Sequence, residues 1–231
     1  MPSVLITGAA KGLGRELSRS FANHKWDLYL VIRSAELEAH LRNEFPDAKI
    51  LISDVRGPEH ERNLNSWLGS CSLDVLINNA GVGSKGSSLE NATAEQLSKV
   101  FETNCVGVFS TVKGAYHSLM RSENGLIINI SSRRGSLSMQ VAGASKGSGC
   151  SYSYRISKAA QNMLTLCLAD DLEEVGIAVA AIHPGRLLTE MASTDAHMTP
   201  EKSAGLISDL VINNRIKNRD YLCMETGTLQ W

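Results

Sequence analysis

The sequence predicts an α/β fold in which a mostly parallel sheet is covered by helices on both faces. Short apolar runs alternate with longer amphipathic stretches, and a glycine-rich turn follows the first apolar run. The runs are continuously apolar, which is typical of parallel strands buried on both faces. Repeated alternation of strand and helix is typical of a doubly wound sheet.

Seven strands and six helices account for this alternation. The strands are expected at residues 4–6, 28–32, 50–52, 75–77, 126–130, 177–182 and 221–223. The helices are expected at about 12–24, 34–44, 58–69, 95–121, 154–174 and 200–213. No linker, repeat or low-complexity tract interrupts the pattern, so residues 1–231 are predicted to form one domain.

Composition argues against several classes of function. The formal net charge is -1 and no run of Lys or Arg exceeds two residues, so neither nucleic acid nor an anionic membrane is expected as a partner. The five cysteines lack C-x-x-C spacing, so neither a disulfide framework nor a metal site is predicted. No signal peptide or apolar stretch of ~20 residues is evident, which favours a soluble cytoplasmic protein.

The turn after the first strand suits a phosphate group. Its glycines fall in a G-x-x-x-G-x-G pattern, and a helix begins within the turn. Glycines permit a sharp turn and close backbone approach to a pyrophosphate. The free N–H groups and positive dipole end of the helix favour the phosphates. The residues predicted to bind a dinucleotide here are Gly8, Lys11, Gly12, Leu13 and Gly14.

The end of the second strand indicates which dinucleotide is bound. NAD sites usually place an acidic residue there, ~20 residues after the glycine turn, to hold the ribose 2′-hydroxyl. Here the sequence at 31–34 is Val-Ile-Arg-Ser. The guanidinium of Arg33 can clamp a 2′-phosphate, and Lys11 can add a second charge. NADP(H) is therefore expected rather than NAD(H), although Arg33 could also be an ordinary surface charge.

Later strand ends carry further cofactor-binding candidates, because ligands bind at the carboxyl ends of parallel strands. These candidates are Asp54, Val55, Asn79, Ala80, Gly81, Pro184, Gly185 and Thr189. Asp54 could accept from an adenine amino group or cap a helix. Asn78 and Asn79 could instead close a turn.

Tyr154 and Lys158 are the strongest catalytic candidates. They lie four residues apart, so they share one face of a predicted helix. A nearby ammonium favours the phenolate and lowers the pKa of a phenol. A tyrosine of this kind can exchange a proton with a carbonyl oxygen near neutral pH.

Three polar residues could complete this site. Ser131 and Ser132 end the fifth strand and should point to opposite faces, so that one of them could hydrogen-bond a substrate carbonyl. Asn104 could hold a water between Lys158 and solvent, or it could be a satisfied core residue. The glycine- and serine-rich segment 143–153 could be a flexible surface loop or a wall beside the site.

In combination, these motifs resemble the short-chain dehydrogenase/reductase family. They occur in the family's order as TGAAKGLG at 7–14, Asp54-Val55, NNAG at 78–81, Asn104, ISS at 130–132, YRISK at 154–158 and HPG at 183–185. The resemblance implies a Rossmann fold with about seven parallel strands. It also implies Ser132, Tyr154, Lys158 and Asn104 as the catalytic set. Tyr154 and Lys158 would also contact the cofactor, and Leu187 and Thr189 would lie near its carboxamide.

Three segments resemble the carbonyl-reductase branch that includes sniffer and C-factor-like proteins. They are SYRISKAA at 153–160, HPG at 183–185 and GTLQW at 227–231. The expected reaction is hydride transfer between NADP(H) and a carbonyl or alcohol, with Tyr154 as general acid or base. The alternative is an NADP-binding regulator with little turnover, since a fold does not settle function. The 22-residue spacing from Ser132 to Tyr154 and the basic Arg186 depart from the family pattern. A homodimer or homotetramer is expected, because helices 95–121 and 154–174 are apolar on more than one face.

Overall fold

The computed structural model describes residues 1–84, 88–189 and 196–231, in which eight strands form one sheet. The strands are β1 (Ser3–Thr7), β2 (Asp27–Ile32), β3 (Lys49–Ile52), β4 (Val75–Asn78), β5 (Leu126–Ile130), β6 (Ala178–His183), β7 (Tyr221–Cys223) and β8 (Gly227–Thr228). Their spatial order is β3-β2-β1-β4-β5-β6-β7-β8. The predicted α/β class is confirmed, and the short antiparallel β8 adds one strand to the number expected.

Eight α-helices accompany the sheet within the described residues. They are α1 (Gly12–Asn23), α2 (Glu38–Glu44), α3 (His60–Leu68), α4 (Ala94–Phe101), α5 (Gly107–Leu119), α6 (Leu137–Val141), α7 (Tyr152–Leu172) and α8 (Pro200–Ile212). The continuous helix predicted at 95–121 is wrong, because a π-helical turn at Glu102–Val106 separates α4 from α5. Helix α7 begins two residues earlier than predicted, because the Ser151 hydroxyl caps it by accepting from Tyr154 N.

The sheet is covered by an apolar layer on each face. Successive strand residues point to opposite faces, so β1 contributes to both layers. Val4 and Ile6 pack in one layer with Leu17 of α1. Leu5 packs in the other layer with Leu64 of α3. All five side chains are fully buried, and each such burial stabilises the fold by about 1.5–3 kcal/mol.

The strand order reverses between β1 and β4, and this reversal positions the functional site. The chain runs from β1 outward through β2 and β3, then returns to place β4 on the other side of β1. Helices leave β1 and β4 toward opposite faces, which opens a crevice at their carboxyl ends. The glycine turn and the NNAG segment lie at these two strand ends.

Two expectations from composition concern the described residues as a whole. None of the helices in the described ranges has both the length and the apolar character that a bilayer span requires. All five cysteines lie within these ranges and are free thiols.

Candidate active site

The β1–α1 turn depends on its glycines for two different reasons. Gly8 and Gly12 have φ angles of +67° and +54°, which other residues adopt rarely. A Cβ on Gly14 would lie 2.3 Å from the Gly8 carbonyl oxygen and 2.5 Å from Asn79 Nδ2. A Cβ on Gly12 would meet, among the described atoms, only Thr189 Cγ2 at 3.8 Å. Gly14 is therefore required for packing, whereas Gly12 borders open space that a ligand can enter.

Helix α1 presents an uncapped N-terminus to this open space. Its N-cap residue, Lys11, makes no side-chain capping hydrogen bond, and no acidic residue occupies the first turn. Leu13 is buried and anchors the start of the helix in the core. Free N–H groups at the positive end of a helix dipole form an anion site. The residues present therefore fit a dinucleotide pyrophosphate.

Asn79 and Ala80 hold the turn in place from the end of β4. Thr7 Oγ1 accepts from the backbone nitrogens of Asn79 and Ala80, each at 3.0 Å. Asn79 Nδ2 donates to the carbonyl oxygens of Thr7 at 2.9 Å and Gly8 at 3.2 Å. The side-chain amide of Asn79 thus closes a turn, which was one of the two sequence expectations for this segment.

Two arginines and one carboxylate lie at the ends of β2 and β3. Arg33 is exposed, and Arg56 Nη2 contacts Asp54 Oδ2 at 2.7 Å. The hydrogen bond from Arg56, with a weaker contribution from the charge of Arg33, lowers the pKa of Asp54. The helix-cap alternative for Asp54 is wrong, since Glu59 occupies the N-cap of α3. Sequence reasoning missed Arg56, although a basic residue two positions after Asp54 was a visible signal.

Val55, next to Asp54, and Gly107, the first residue of α5, have a packing role. Val55 is buried, and a Cβ on Gly107 would lie 2.8 Å from Val55 Cγ2. Val55 therefore packs against the start of α5, where only a glycine leaves enough room.

Ser131 and Ser132 point to different surroundings at the end of β5. Ser131 Oγ donates to Asn162 Oδ1 of α7 at 2.5 Å, within the core. The Ser132 hydroxyl accepts from Arg134 N at 3.2 Å, and it lies close enough to the phenol of Tyr154 to lower its pKa. Of the two serines that the sequence left open, Ser132 is therefore the one that the structure brings to Tyr154.

The electrostatics of Tyr154 differ from the expectation. Burial raises the pKa of its phenol to about 12, and the nearby Ser132 hydroxyl and the charge of Arg134 only partly oppose this rise. Lys158 Nζ lies 5.8 Å from the centre of the Tyr154 ring. The prediction that Lys158 lowers this pKa is wrong, because desolvation dominates and Lys158 is not among the groups that shift it. Tyr154 is consequently protonated at neutral pH and able to donate its proton.

Lys158 is held deep in the site. Its Nζ donates to the carbonyl oxygen of Ile130 at 2.7 Å and to Gln161 Oε1 at 2.8 Å. Only 4% of the residue is exposed, and burial lowers the pKa of the ammonium to about 7. A Cβ on Gly81 would lie 3.9 Å from Nζ and 3.3 Å from Asn104 Oδ1. The missing side chain at Gly81 therefore leaves space next to the lysine, and Gln161 is a positioning residue that sequence reasoning missed.

Asn104 lies inside the π-helical turn and is completely buried. Its Oδ1 accepts from Val82 N at 2.8 Å. Its Nδ2 donates to the carbonyl oxygen of Val82 at 2.9 Å and to Ser157 Oγ at 3.0 Å. Of the two alternatives for Asn104, a water-binding residue and a satisfied core residue, these hydrogen bonds favour the satisfied core residue. The side chain also fixes the loop after β4 against α7. π-helical turns occur frequently at functional sites.

The segment after β6 approaches the glycine turn from the other side of the crevice. Gly185 has a φ of +94°, and Ser203 Oγ donates to the Pro184 carbonyl oxygen at 2.6 Å. Leu187 forms an isolated parallel bridge with Met198. Thr189 reaches the space beside Gly12, as noted above. The segment therefore lies over the crevice in which Pro184, Gly185, Leu187 and Thr189 were predicted to meet the cofactor.

His183, the last residue of β6, is buried and uncharged. Burial, strengthened by the charges of Arg133 and Arg134, lowers the pKa of its imidazole to about 3.

The glycine- and serine-rich segment forms successive turns beside Ser132. Arg134 Nη1 donates to the Ala144 carbonyl oxygen at 2.8 Å and contacts Ser145 Oγ at 3.2 Å. Gly143, Gly147 and Gly149 all have positive φ angles. Because Arg134 follows Ser132 by two residues, it ties this segment to the turn that carries the candidate catalytic serine. Its position favours the expectation of a wall beside the site.

Comparison with known proteins identifies the family. The model of the short chain dehydrogenase family matches residues 2–199. The chain belongs to the short-chain dehydrogenase family. An uncharacterized oxidoreductase of Mycobacterium tuberculosis is 31% identical over 203 residues, which are 84% of this chain and 76% of the relative.

Solved structures place this short-chain dehydrogenase near the carbonyl reductases. The NADPH-bound carbonyl reductase from chicken fatty liver matches with a TM-score of 0.88 and 26% identity, over 100% of this chain and 99% of that chain. The carbonyl reductase Sniffer of D. melanogaster matches with a TM-score of 0.87 and 25% identity, over 100% of both chains. The family resemblance inferred from the sequence is confirmed.

Proposed function

We propose that this short-chain dehydrogenase reduces a carbonyl compound with NADPH and that Tyr154 is its proton donor. The observation that carries the proposal is the proximity of the Ser132 hydroxyl to the protonated Tyr154 phenol, whose pKa it lowers. A carbonyl oxygen placed between two O–H groups is both polarised and supplied with a proton. The pair lies at the carboxyl end of β5, where ligands bind in open α/β sheets.

Each catalytic residue has a separate task in this mechanism. Bound NADPH supplies the hydride, and the protein orients it. Ser132 holds the carbonyl oxygen of the substrate, and Tyr154 transfers its phenolic proton to that oxygen. Lys158, whose pKa is about 7, can restore the proton near neutral pH and can reach the space left by Gly81. Asn104 positions the loop that carries Gly81 by bonding both backbone groups of Val82.

The cofactor preference is assigned to the basic side chains beyond β1 and β2. Arg33 and Lys11 would hold the 2′-phosphate of NADPH, as inferred from the sequence. Arg56 is a third cation near this end of the site, although it is paired with Asp54. The pyrophosphate would bind the uncapped N-terminus of α1, and Asp54 would contact the adenine. NADPH bound to the similar chicken liver reductase supports this assignment.

Cofactor consumption with a panel of aldehydes, diketones and quinones tests the proposal. The wild type is expected to prefer NADPH to NADH, and Tyr154→Phe is expected to reduce turnover at least a hundredfold, the typical contribution of a positioned proton donor. Tyr152→Phe is the matched control, because Tyr152 lies on the same helical turn and its ring stacks with Arg155. Binding of NADPH without turnover on any compound, unchanged in Tyr154→Phe, would support the regulator instead.

A further inference from the structure

Three side chains that can ligate a metal converge where β6 and β7 end. His183 is the last residue of β6, Cys223 is the last residue of β7, and Glu225 follows two positions later. One ligand atom from each lies within 4.8 Å of the other two. His183 and Cys223 are direct partners in the parallel register of the two strands. The sheet itself therefore fixes two of the three groups next to each other.

The imidazole of His183 provides a second, independent observation. The residue is only 6% exposed, and neither ring nitrogen has a hydrogen-bond partner in the described part of the chain. Its Nε2 is 3.8 Å from Glu225 Oε2, which is beyond hydrogen-bond distance. Buried polar groups are nearly always satisfied, so two orphaned nitrogens on one ring require an explanation. Ligation of a metal ion would satisfy one of them.

The two oxygens of Glu225 face different neighbours. Oε1 accepts from Arg186 Nε at 3.1 Å and lies 2.9 Å from His197 Nε2. Oε2 is the oxygen directed toward His183. Partners of this kind orient a ligating carboxylate and are characteristic of the surroundings of metal sites. Arg186 and His197 therefore hold Glu225 by one oxygen while the other is turned toward His183.

Cys223 contributes a sulfur that is already hydrogen-bonded. Glu225 N donates to Cys223 Sγ at 3.4 Å, so the backbone of Glu225 already contacts this sulfur. A thiolate, an imidazole and a carboxylate form a mixed sulfur, nitrogen and oxygen set that suits zinc, whereas Mg²⁺ and Ca²⁺ prefer oxygen ligands alone.

We propose that His183, Cys223 and Glu225 form a three-ligand site for Zn²⁺, with water in the fourth position. Tetrahedral zinc with ordinary bond lengths places its ligand atoms about 3.3–3.6 Å apart. The separation of 3.8 Å between His183 Nε2 and Glu225 Oε2 is close to this range, and all three separations are at most 4.8 Å, so binding requires the side chains to close in by about 1 Å or less. The thiolate and the carboxylate neutralise the dication despite the neighbouring Arg186.

Cysteine spacing led to the expectation that no metal site is present. That criterion detects ligand pairs that are close in sequence, whereas this cluster combines residues forty positions apart. None of its three ligands belongs to the predicted catalytic set, and the site requires no turnover to be detected.

Titration of chelator-treated protein with Co²⁺, followed by displacement with Zn²⁺, tests the site. The wild type is expected to bind one equivalent of Co²⁺, with a thiolate-to-cobalt charge-transfer absorption that Zn²⁺ abolishes. Cys223→Ser is expected to lose this absorption. Cys167→Ser is the matched control and should retain it, because Cys167 is exposed on α7.

Glu225→Gln provides a second variant that keeps the sulfur. It is expected to retain the charge-transfer absorption and to bind Co²⁺ at least tenfold more weakly, with the circular dichroism spectrum of the wild type. Absence of the absorption in the wild type would overturn the proposal. Equal Co²⁺ affinity of Glu225→Gln and the wild type would do the same, as would loss of the absorption in Cys167→Ser.

Discussion

Replacing Lys158 by methionine should change how the stability of the protein depends on pH. Burial lowers the pKa of Lys158 from 10.5 to about 7 in the folded chain. Between these two values the unfolded chain binds more protons than the folded chain, so the free energy of unfolding of the wild type rises with pH. Below pH 7 the lysine is charged in both states, and the cost of its burial is constant.

The magnitude follows from the size of the shift. Each pKa unit corresponds to 1.36 kcal/mol, so Lys158 alone contributes a rise of up to about 5 kcal/mol between pH 7 and 10.5. Lys158→Met keeps a similar length and removes the charge, so this rise should disappear. The absolute stability of the variant also contains a cost of about 1–3 kcal/mol for each carbonyl acceptor left unpaired, at Ile130 and Gln161. The diagnostic quantity is therefore the pH dependence and not the value at one pH.

Urea unfolding at pH 6, 8 and 10 measures this quantity directly. The difference in unfolding free energy between wild type and Lys158→Met should move by several kcal/mol in favour of the wild type from pH 6 to pH 10. Lys99→Met, at an exposed position of α4, is the control and should follow the wild type at each pH. Parallel curves for Lys158→Met and the wild type would refute the reasoning.

Three further predictions concern the site and the surface. Ser132→Ala should lower kcat at least a hundredfold, whereas Ser131→Ala should keep kcat within a fewfold and lower the unfolding free energy by about 1–3 kcal/mol, because Ser131 bonds only within the core. Equal losses of kcat in the two variants would contradict the assignment. Arg33→Ala should raise KM for NADPH about 10–100-fold, because it removes a charge-assisted hydrogen bond of about 1.5–3 kcal/mol. It should leave KM for NADH unchanged. A parallel rise of KM for both cofactors would show that Arg33 does not select the cofactor. Phe109→Asp should convert the expected homodimer or homotetramer to monomers, as measured by light scattering. The reason is that Phe109 is an aromatic residue of α5 that is 46% exposed. A monomeric wild type would refute the expectation.

The strands and the glycine turn could be predicted because their signals are local. A continuous apolar run such as Leu28 to Ile32 is visible without knowledge of its partners, and so is the spacing of Gly8, Gly12 and Gly14. The candidate catalytic residues were found in the same way, from short motifs such as the serines at the end of the fifth strand and the tyrosine and lysine four residues apart on a helix. Each motif also resembles the family pattern, and the order of the motifs along the chain carries most of the information.

The remaining features depend on contacts that the sequence does not display. The π-helical turn inserts one residue into an apolar pattern without interrupting it, so 95–121 reads as one helix. Desolvation by the whole surrounding fold raises the pKa of Tyr154, and this rise outweighs the effect of a single lysine. The cluster of His183, Cys223 and Glu225 exists only because two strands pair in one register.

The π-helical turn at Glu102–Val106 also separates the helical phase of α4 from that of α5. One residue advances an α-helix by about 100°, so the turn rotates α5 by that angle relative to a continuous helix. Helix α4 packs on α7, and α5 packs on α3 on its own apolar face. Deleting a single residue such as Cys105 would force one phase on both helices, so that α4 and α5 could not both keep their partners. The chain thus adjusts two helix–helix interfaces independently and keeps Asn104 at the junction between them.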